Sequence, residues 1–353
     1  MIKNLTSLKY GLLYCFAHFS VEVACFYYLF NNLNIGEMYW WIIALLYDAL
    51  AFLPQSLMGA IADKFPKICY GAIGFIVVLI CLILPFSYFS VMLIALGNAL
   101  VHVDGAEKTL LNSGGKITPN ALFVGGGSFG VITGRFLGKM AGLYVIIPLL
   151  LVILCVILLL IFTTNERAKT MLENSMYNTK SAPNVVSDKI PNVLLTIIII
   201  FAVAVRGYIG YAIPTAWSVT NFHLIILYCY MGFGKMIGGV AVDKFGYKKA
   251  TILSIVGALP FLLFGNAIPI ISLTGVLLYS MSMPITIGIV YSKFPSSPAF
   301  AFGITTIGLF IGSCPEFFFS IQNLLIQQVV VTVLSVTALI LILISLKKEI
   351  KNV

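Results

Sequence analysis

Apolar residues run in this chain in stretches of about 20, separated by short polar punctuation, and they do not alternate with a period of two. A helical stretch of that length matches the core of a bilayer, whereas spanning strands are about ten residues long and alternate. The pattern predicts helices over 8–30, 38–58, 68–86, 89–106, 119–138 and 142–163, and over 191–211, 221–240, 250–266, 269–291, 298–315 and 324–346. Two turns are tight, marked by Pro85, Ser87 and Ser90 in one case and by Asn266 and Pro269 in the other. The first apolar stretch is too long for the core of a cleavable signal peptide, and no small-residue cleavage site follows it.

Composition fixes the solvent. Hydrophobic residues make up 60% of the 353 and charged residues 9%, against about a quarter charged in water-soluble domains. In lipid the backbone must satisfy its own polar groups, which leaves helices for stretches of this kind. The longest polar segment, 164–190, carries charges of both signs and reads as a linker between two halves, 1–163 and 191–353.

The basic residues set a topology. Seventeen of the 21 Lys and Arg fall in alternate connections or at the termini. They are Lys3 and Lys9, Lys64 and Lys67, Lys108 and Lys116, Arg167, Lys169, Lys180 and Lys189, Lys244, Lys248 and Lys249, Lys293, and Lys347, Lys348 and Lys351. By the positive-inside rule these segments are cytoplasmic and so are both termini, which twelve spans permit. Trp40, Trp41 and Trp217 fall at the opposite side as interfacial anchors. The net charge of +9 is therefore topology, and no nucleic-acid partner is expected. The seven cysteines lie in or at the ends of spans without metal-ligand spacing, so neither a metal nor a disulfide framework is expected.

One short sequence occurs twice, 180 positions apart. The first copy is Gly59-Ala60-Ile61-Ala62-Asp63-Lys64-Phe65-Pro66-Lys67; the second is Gly239-Val240-Ala241-Val242-Asp243-Lys244-Phe245-Gly246-Tyr247-Lys248-Lys249. Each follows one long apolar stretch and precedes another, so the chain consists of two similar halves, a common plan in membrane transporters. In both copies Gly59 and Gly239 allow close helix approach, and Asp63 and Asp243 can accept bonds from a facing helix N-terminus, whose partial positive charge favours a carboxylate.

Twelve spans, a central linker and these loops after spans two and eight resemble the major facilitator superfamily, whose loop signature is approximately G-x-x-x-D-[RK]-x-G-[RK]-[RK]. Gly239, Asp243, Lys244, Gly246, Lys248 and Lys249 follow it with Tyr247 intervening; Gly59, Asp63, Lys64 and Lys67 follow it with Pro66 in place of the second glycine. The resemblance implies an all-α membrane protein of twelve transmembrane helices in two six-helix pseudo-symmetric bundles, with these residues as cytoplasmic gating loops. HFSVEV in span one, LPQSLMGAIADK after span two and GNALVHVDG in span four look like a bacterial branch of the superfamily, which implies residence in the cytoplasmic membrane. Span four lacks the arginine of many proton-coupled members, and span five lacks the Gly-Pro pair of drug/proton antiporters. Instead, span five carries Gly126, Gly130, Gly134 and Gly138, a stripe of small residues that reads as a helix-packing face.

Ionisable residues inside the spans are the remaining chemistry, since such groups usually face a cavity or one another. They are His18, Glu22, Asp48, His102, Arg135, Arg206 and Lys235. His18 and Glu22, four apart, share a helix face. In the family's fold spans one, four, seven and ten line the cavity, so the resemblance makes His18, Glu22, His102 and Arg206 candidates for the translocation path. Asp48 and Lys235, on flanking spans, join them as cavity or coupling candidates. Depth at about 1.5 Å per residue puts Glu22 and Arg206 at similar heights, so that they are expected to pair. Tyr279, Ser280, Ser282, Thr286 and Tyr291 surround Pro284 in span ten, where they either line a cavity or bond back to their own helix.

The leading function is secondary transport of a small solute by alternating access, with or without a coupling proton or ion. A multi-span acyl- or glycosyl-transferase is the alternative, but it needs larger aqueous loops than these; a transporter-like sensor is another. No GxxxxGK[ST] motif exists for ATP hydrolysis. The expected protein is thus a monomer in the bilayer with no catalytic residues and no cofactor.

Overall fold

The computed structural model describes residues 2–32, 39–140, 144–172, 182, 183, 185, 186 and 190–346, with side chains omitted at 2–6 and 163–172. Residues 173–181, 184 and 187–189 of the 164–190 segment, including Lys180 and Lys189, and the terminal Lys347, Lys348 and Lys351 lie outside the described residues.

The chain is all-helical. Its spans are α1 (Ile2–Asn32), α2 (Trp40–Lys64), α3 (Tyr70–Ile83), α4 (Tyr88–Leu111), α5 (Thr118–Gly138) and α6 (Ile146–Leu172), followed by α7 (Asn192–Ala212), α8 (Asn221–Phe245), α9 (Tyr247–Phe264), α10 (Pro269–Lys293), α11 (Pro298–Ser313) and α12 (Leu324–Ser345). Ten of these are long and apolar enough to cross a bilayer, counting α11 with the 3-10 turn Cys314–Phe317 that extends it. The apolar parts of α3 and α6, Tyr70–Ile83 and Ile146–Phe162, are shorter. This is a multi-pass membrane protein.

Proline breaks three spans. The segments of α2 are Trp40–Phe52 and Gln55–Lys64, on either side of Pro54; those of α9 are Tyr247–Ile255 and Leu259–Phe264, and those of α10 are Pro269–Ser280 and Ser282–Lys293. Pro54, Pro260 and Pro284 have no N–H to donate one turn back, and their rings crowd the preceding carbonyl, so the helix gives way near each.

The repeated motif corrects one expectation. Gly59 and Asp63 are not in a loop: α2 remains helical through Lys64, and α8 through Phe245. The i, i+4 spacing of Gly59 with Asp63, and of Gly239 with Asp243, puts both residues of each copy on one helix face. Gly246, at φ 81°, makes the turn out of α8 in a conformation that favours glycine. Pro66 stands at the matching place after α2, where the chain turns in another way.

Small residues bring the helices together. The most extensive contact in the molecule is α1 against α5. Gly126, Gly130, Gly134 and Gly138 of α5 face the carbonyls of Cys15, Phe19, Val23 and Tyr27 on α1, a match of four-residue spacing on both helices. A Cβ at Gly138 would sit 2.7 Å from the Tyr27 oxygen. The second half repeats the device with α7 and α11, where Gly308 and Gly312 face the carbonyls of Ile200 and Ala204. Both pairs join the first and fifth helices of their half.

Candidate functional site

Two carboxylates connect the halves. Asp63, at the end of α2, accepts the backbone N–H groups of Ala299 (3.1 Å) and Phe300 (2.9 Å) at the start of α11. Asp243, at the end of α8, accepts those of Ile117 (2.8 Å) and Thr118 (3.0 Å) at the start of α5, together with the Thr118 hydroxyl. Free N–H groups and the dipole at a helix start attract a carboxylate. Second helix to fifth helix of the other half is the rule in both directions, so the two connections are equivalent under exchange of the halves. The glycines permit the approach: a Cβ at Gly59 would lie 2.5 Å from the Ala299 backbone, and one at Gly239 would strike Ala121.

Both connections lie at one end of the molecule. Lys108, near the end of α4, donates to the Pro66 carbonyl beyond α2 at 3.4 Å, which places the α2–α3 and α4–α5 turns together. Lys64, Lys67, Lys244, Lys248 and Lys249 are exposed there, and Lys64 and Lys244 each cover the following Phe ring, at 5.5 and 5.3 Å. At the other end Trp41 meets Phe318 at 5.8 Å, on the side expected for the tryptophans.

Deep between α1, α4 and α5 lies a compact polar cluster. His18 Nε2 is 3.5 Å from Glu22 Oε1, and His102 Nε2 is 3.4 Å from the same oxygen. The opposite ring nitrogens face backbone carbonyls: His18 Nδ1 that of Phe123 at 2.7 Å, and His102 Nδ1 that of Asn98 at 3.0 Å. A carbonyl only accepts, so each Nδ1 carries the proton, and in the neutral ring each Nε2 presents a lone pair to Glu22. Asn98 donates to the Tyr47 hydroxyl at 2.7 Å and approaches Glu22 Oε1 at 3.4 Å. Gly127 gives the His18 ring its room, since a Cβ there would overlap it. His18, Glu22 and His102 are buried alike, at 6% exposure each.

Lys235 enters from the second half. Its Nζ donates to Ser128 Oγ of α5 at 2.8 Å, and its charge acts on Glu22, His18 and His102. Arg206 also acts electrostatically on Lys235, and its Nε is buried without a hydrogen-bond partner. Asp48, Arg206 and Lys235 keep partial exposure although they lie mid-span. Glu316, exposed beyond α11, acts electrostatically on Asp48.

The expected Glu22–Arg206 pair is absent: among the described residues the basic groups within 4.0 Å of Glu22 are His18 and His102. The height estimate said nothing of azimuth, and Glu22 faces α4 within its own half. Arg135 does not pair with Glu22 either; it lies over Phe30 at 5.0 Å and bonds to Tyr228. In α10, Ser282 and Thr286 donate to the carbonyls of Tyr279 and Met283, so these hydroxyls bond back to their own helix. Sequence reasoning passed over Asp104. It is fully buried, takes the Tyr14 hydroxyl at 2.7 Å, and accepts the N–H groups of Tyr70 and Gly71 at the start of α3. The Tyr14-to-Asp104 spacing gives no signal; the one that could have found it is a carboxylate in the GNALVHVDG stretch of an apolar span.

No family model matches the chain, and no curated protein matches it in sequence. Two solved structures resemble it over almost its whole length. The human organic anion transporter MFSD10 (TETRAN) aligns with a TM-score of 0.63 at 13% identity, covering 97% of this chain and 98% of that one. The Escherichia coli fucose:proton symporter FucP aligns with a TM-score of 0.61 at 12% identity, covering 96% and 98%. Sequence identity this low speaks to architecture alone, and with the helix order and the paired cross-connections it establishes that the chain has the major facilitator fold.

Proposed function

We propose that this protein is a secondary transporter that moves a small solute across a membrane by alternating access. The observation that carries the reading is the pair of exchanged carboxylate connections, Asp63 to α11 and Asp243 to α5, at one end of the molecule. Bonds of this kind are few, directional and readily replaced by water, so they suit a gate that closes one end and then releases it. Asp48, Arg206 and Lys235, partly exposed between the halves, suit a solute path reached from the other end.

The halves are 1–163 and 191–353, with 164–190 as the linker between them. The lysine-rich end with the carboxylate connections is cytoplasmic, and the membrane is a bacterial cytoplasmic membrane. His18, Glu22, His102, Asp48, Arg206 and Lys235 are the cavity residues, and the working unit is a monomer, with or without a coupling proton or ion. Reconstitution tests the reading against a membrane enzyme. Proteoliposomes are offered a panel of labelled sugars, carboxylates and amines, and the lumenal content is analysed chemically. Uptake or exit of an unaltered solute, lost in Asp63→Asn with Asp243→Asn, supports transport. A panel member recovered in altered form would indicate catalysis instead.

A further inference from the structure

The His18, Glu22 and His102 cluster has an excess of acceptors. Glu22 Oε1, two imidazole lone pairs and the orphaned Glu22 Oε2 and Asn98 Oδ1 converge, and the Asn98 amide supplies the nearby donor, shared with Tyr47. Buried acceptors without donors are costly, so the cluster is built to surround positive charge. Two candidates exist, a proton and a metal ion, and the distances separate them. A shared proton draws N and O to within about 3.2 Å, whereas the two Nε2–Oε1 separations are 3.5 and 3.4 Å. A tetrahedral ion with bonds of about 2.0–2.1 Å holds its ligand atoms about 3.3 Å apart. The three ligand atoms lie within 4.8 Å of one another, close enough to share one ion.

The surroundings fit the same occupant. Ligating histidines usually donate their other nitrogen to a carbonyl or carboxylate, which fixes the tautomer and raises basicity. Both histidines do so, through Phe123 and Asn98.

We propose that His18, Glu22 and His102 form a binding site for a divalent first-row transition-metal ion, through two Nε2 atoms and one carboxylate. The sequence alone pointed to no metal, because His102 is 80 positions from Glu22 and the fold brings them together. Lys235 is the group that opposes the ion. It belongs to the other half and is held by Ser128, so its position ties occupancy of the site to the relation between the halves.

The test uses the purified full-length protein in detergent, stripped with EDTA and titrated with Co²⁺. It reads equilibrium binding, so it is independent of whether the chain transports anything. The wild type should bind one Co²⁺, with ligand-field absorption of nitrogen and oxygen ligands and no thiolate charge-transfer band. Glu22→Gln and His102→Gln should each weaken binding by more than about tenfold. Lys235→Met should tighten it by about tenfold, because a nearby cation has been removed. The metal-free melting temperature of each variant separates a lost ligand from a lost fold. Absence of Co²⁺ binding in the wild type would overturn the proposal and leave the trio to share a proton. A sulfur charge-transfer band that persists in Glu22→Gln would equally overturn it, by assigning the ion to cysteine.

Discussion

At the residue scale, the chemistry of this protein depends on a few polar atoms in otherwise apolar helices. Asp63 and Asp243 do their work because each faces a helix start of the opposite half. Asp63→Asn keeps one acceptor and loses the charge, and should destabilise the closed end by about 1.5–3 kcal/mol, the range for bonds to a charged group. Asp243→Asn should act in the same direction and less strongly, because Asp243 is exposed and screened. Faster alkylation of a cysteine placed at Ala299 is the readout; an unchanged rate in Asp63→Asn would remove that residue from the gate. Gly127→Ala should push His18 off its position and cost about 1–3 kcal/mol. A melting temperature equal to wild type would contradict the fit described for that ring. Both aspartates were legible in the sequence because Gly and Asp recur together at one spacing in both copies. The partner of Glu22 was not: rise per residue gives height, and direction around the helix axis depends on packing that spacing alone does not encode. The histidine trio needed His102, on another helix, to be brought to His18 and Glu22.

At the element scale, glycine spacing and proline placement account for how the helices meet and bend. The stripe on α5 predicted a packing face, and the face is there, set against the α1 carbonyls. Gly130→Ala should destabilise by about 1–3 kcal/mol through overpacking. Gly210, on α7, has nothing within 4 Å of its notional Cβ, so Gly210→Ala should be neutral or stabilising by up to about 1 kcal/mol. Thermal unfolding of the two variants side by side checks this, and equal destabilisation would count against close packing as the cause. Existence of the spans was legible, since apolar length follows the bilayer. Their ends were less so: α2 and α8 run on through Asp63 and Asp243 because these polar turns are held by the facing helices, a tertiary effect absent from the local pattern. The break in α10 falls at Met281, three residues before Pro284, whose ring crowds the preceding turn.

At the scale of the molecule, one bond type, carboxylate to helix start, runs from α2 to α11 and from α8 to α5. Under the proposed alternating access, the two connections at one end are released together. The lysine distribution further predicts that reporter fusions within 170–185 and after Val353 both report cytoplasm; an exported signal from either would contradict the orientation. The most direct measurement is pulsed electron paramagnetic resonance on spin-label pairs in a cysteine-free background. One pair, Lys116 with Lys244, spans the connected end, and the other, Tyr39 with Val219, spans the opposite end. Introducing Asp63→Asn with Asp243→Asn should lengthen the first distance and shorten the second in the same population of molecules. Distances that stay as in the wild type, or that both lengthen together, would contradict alternating access through these two carboxylates.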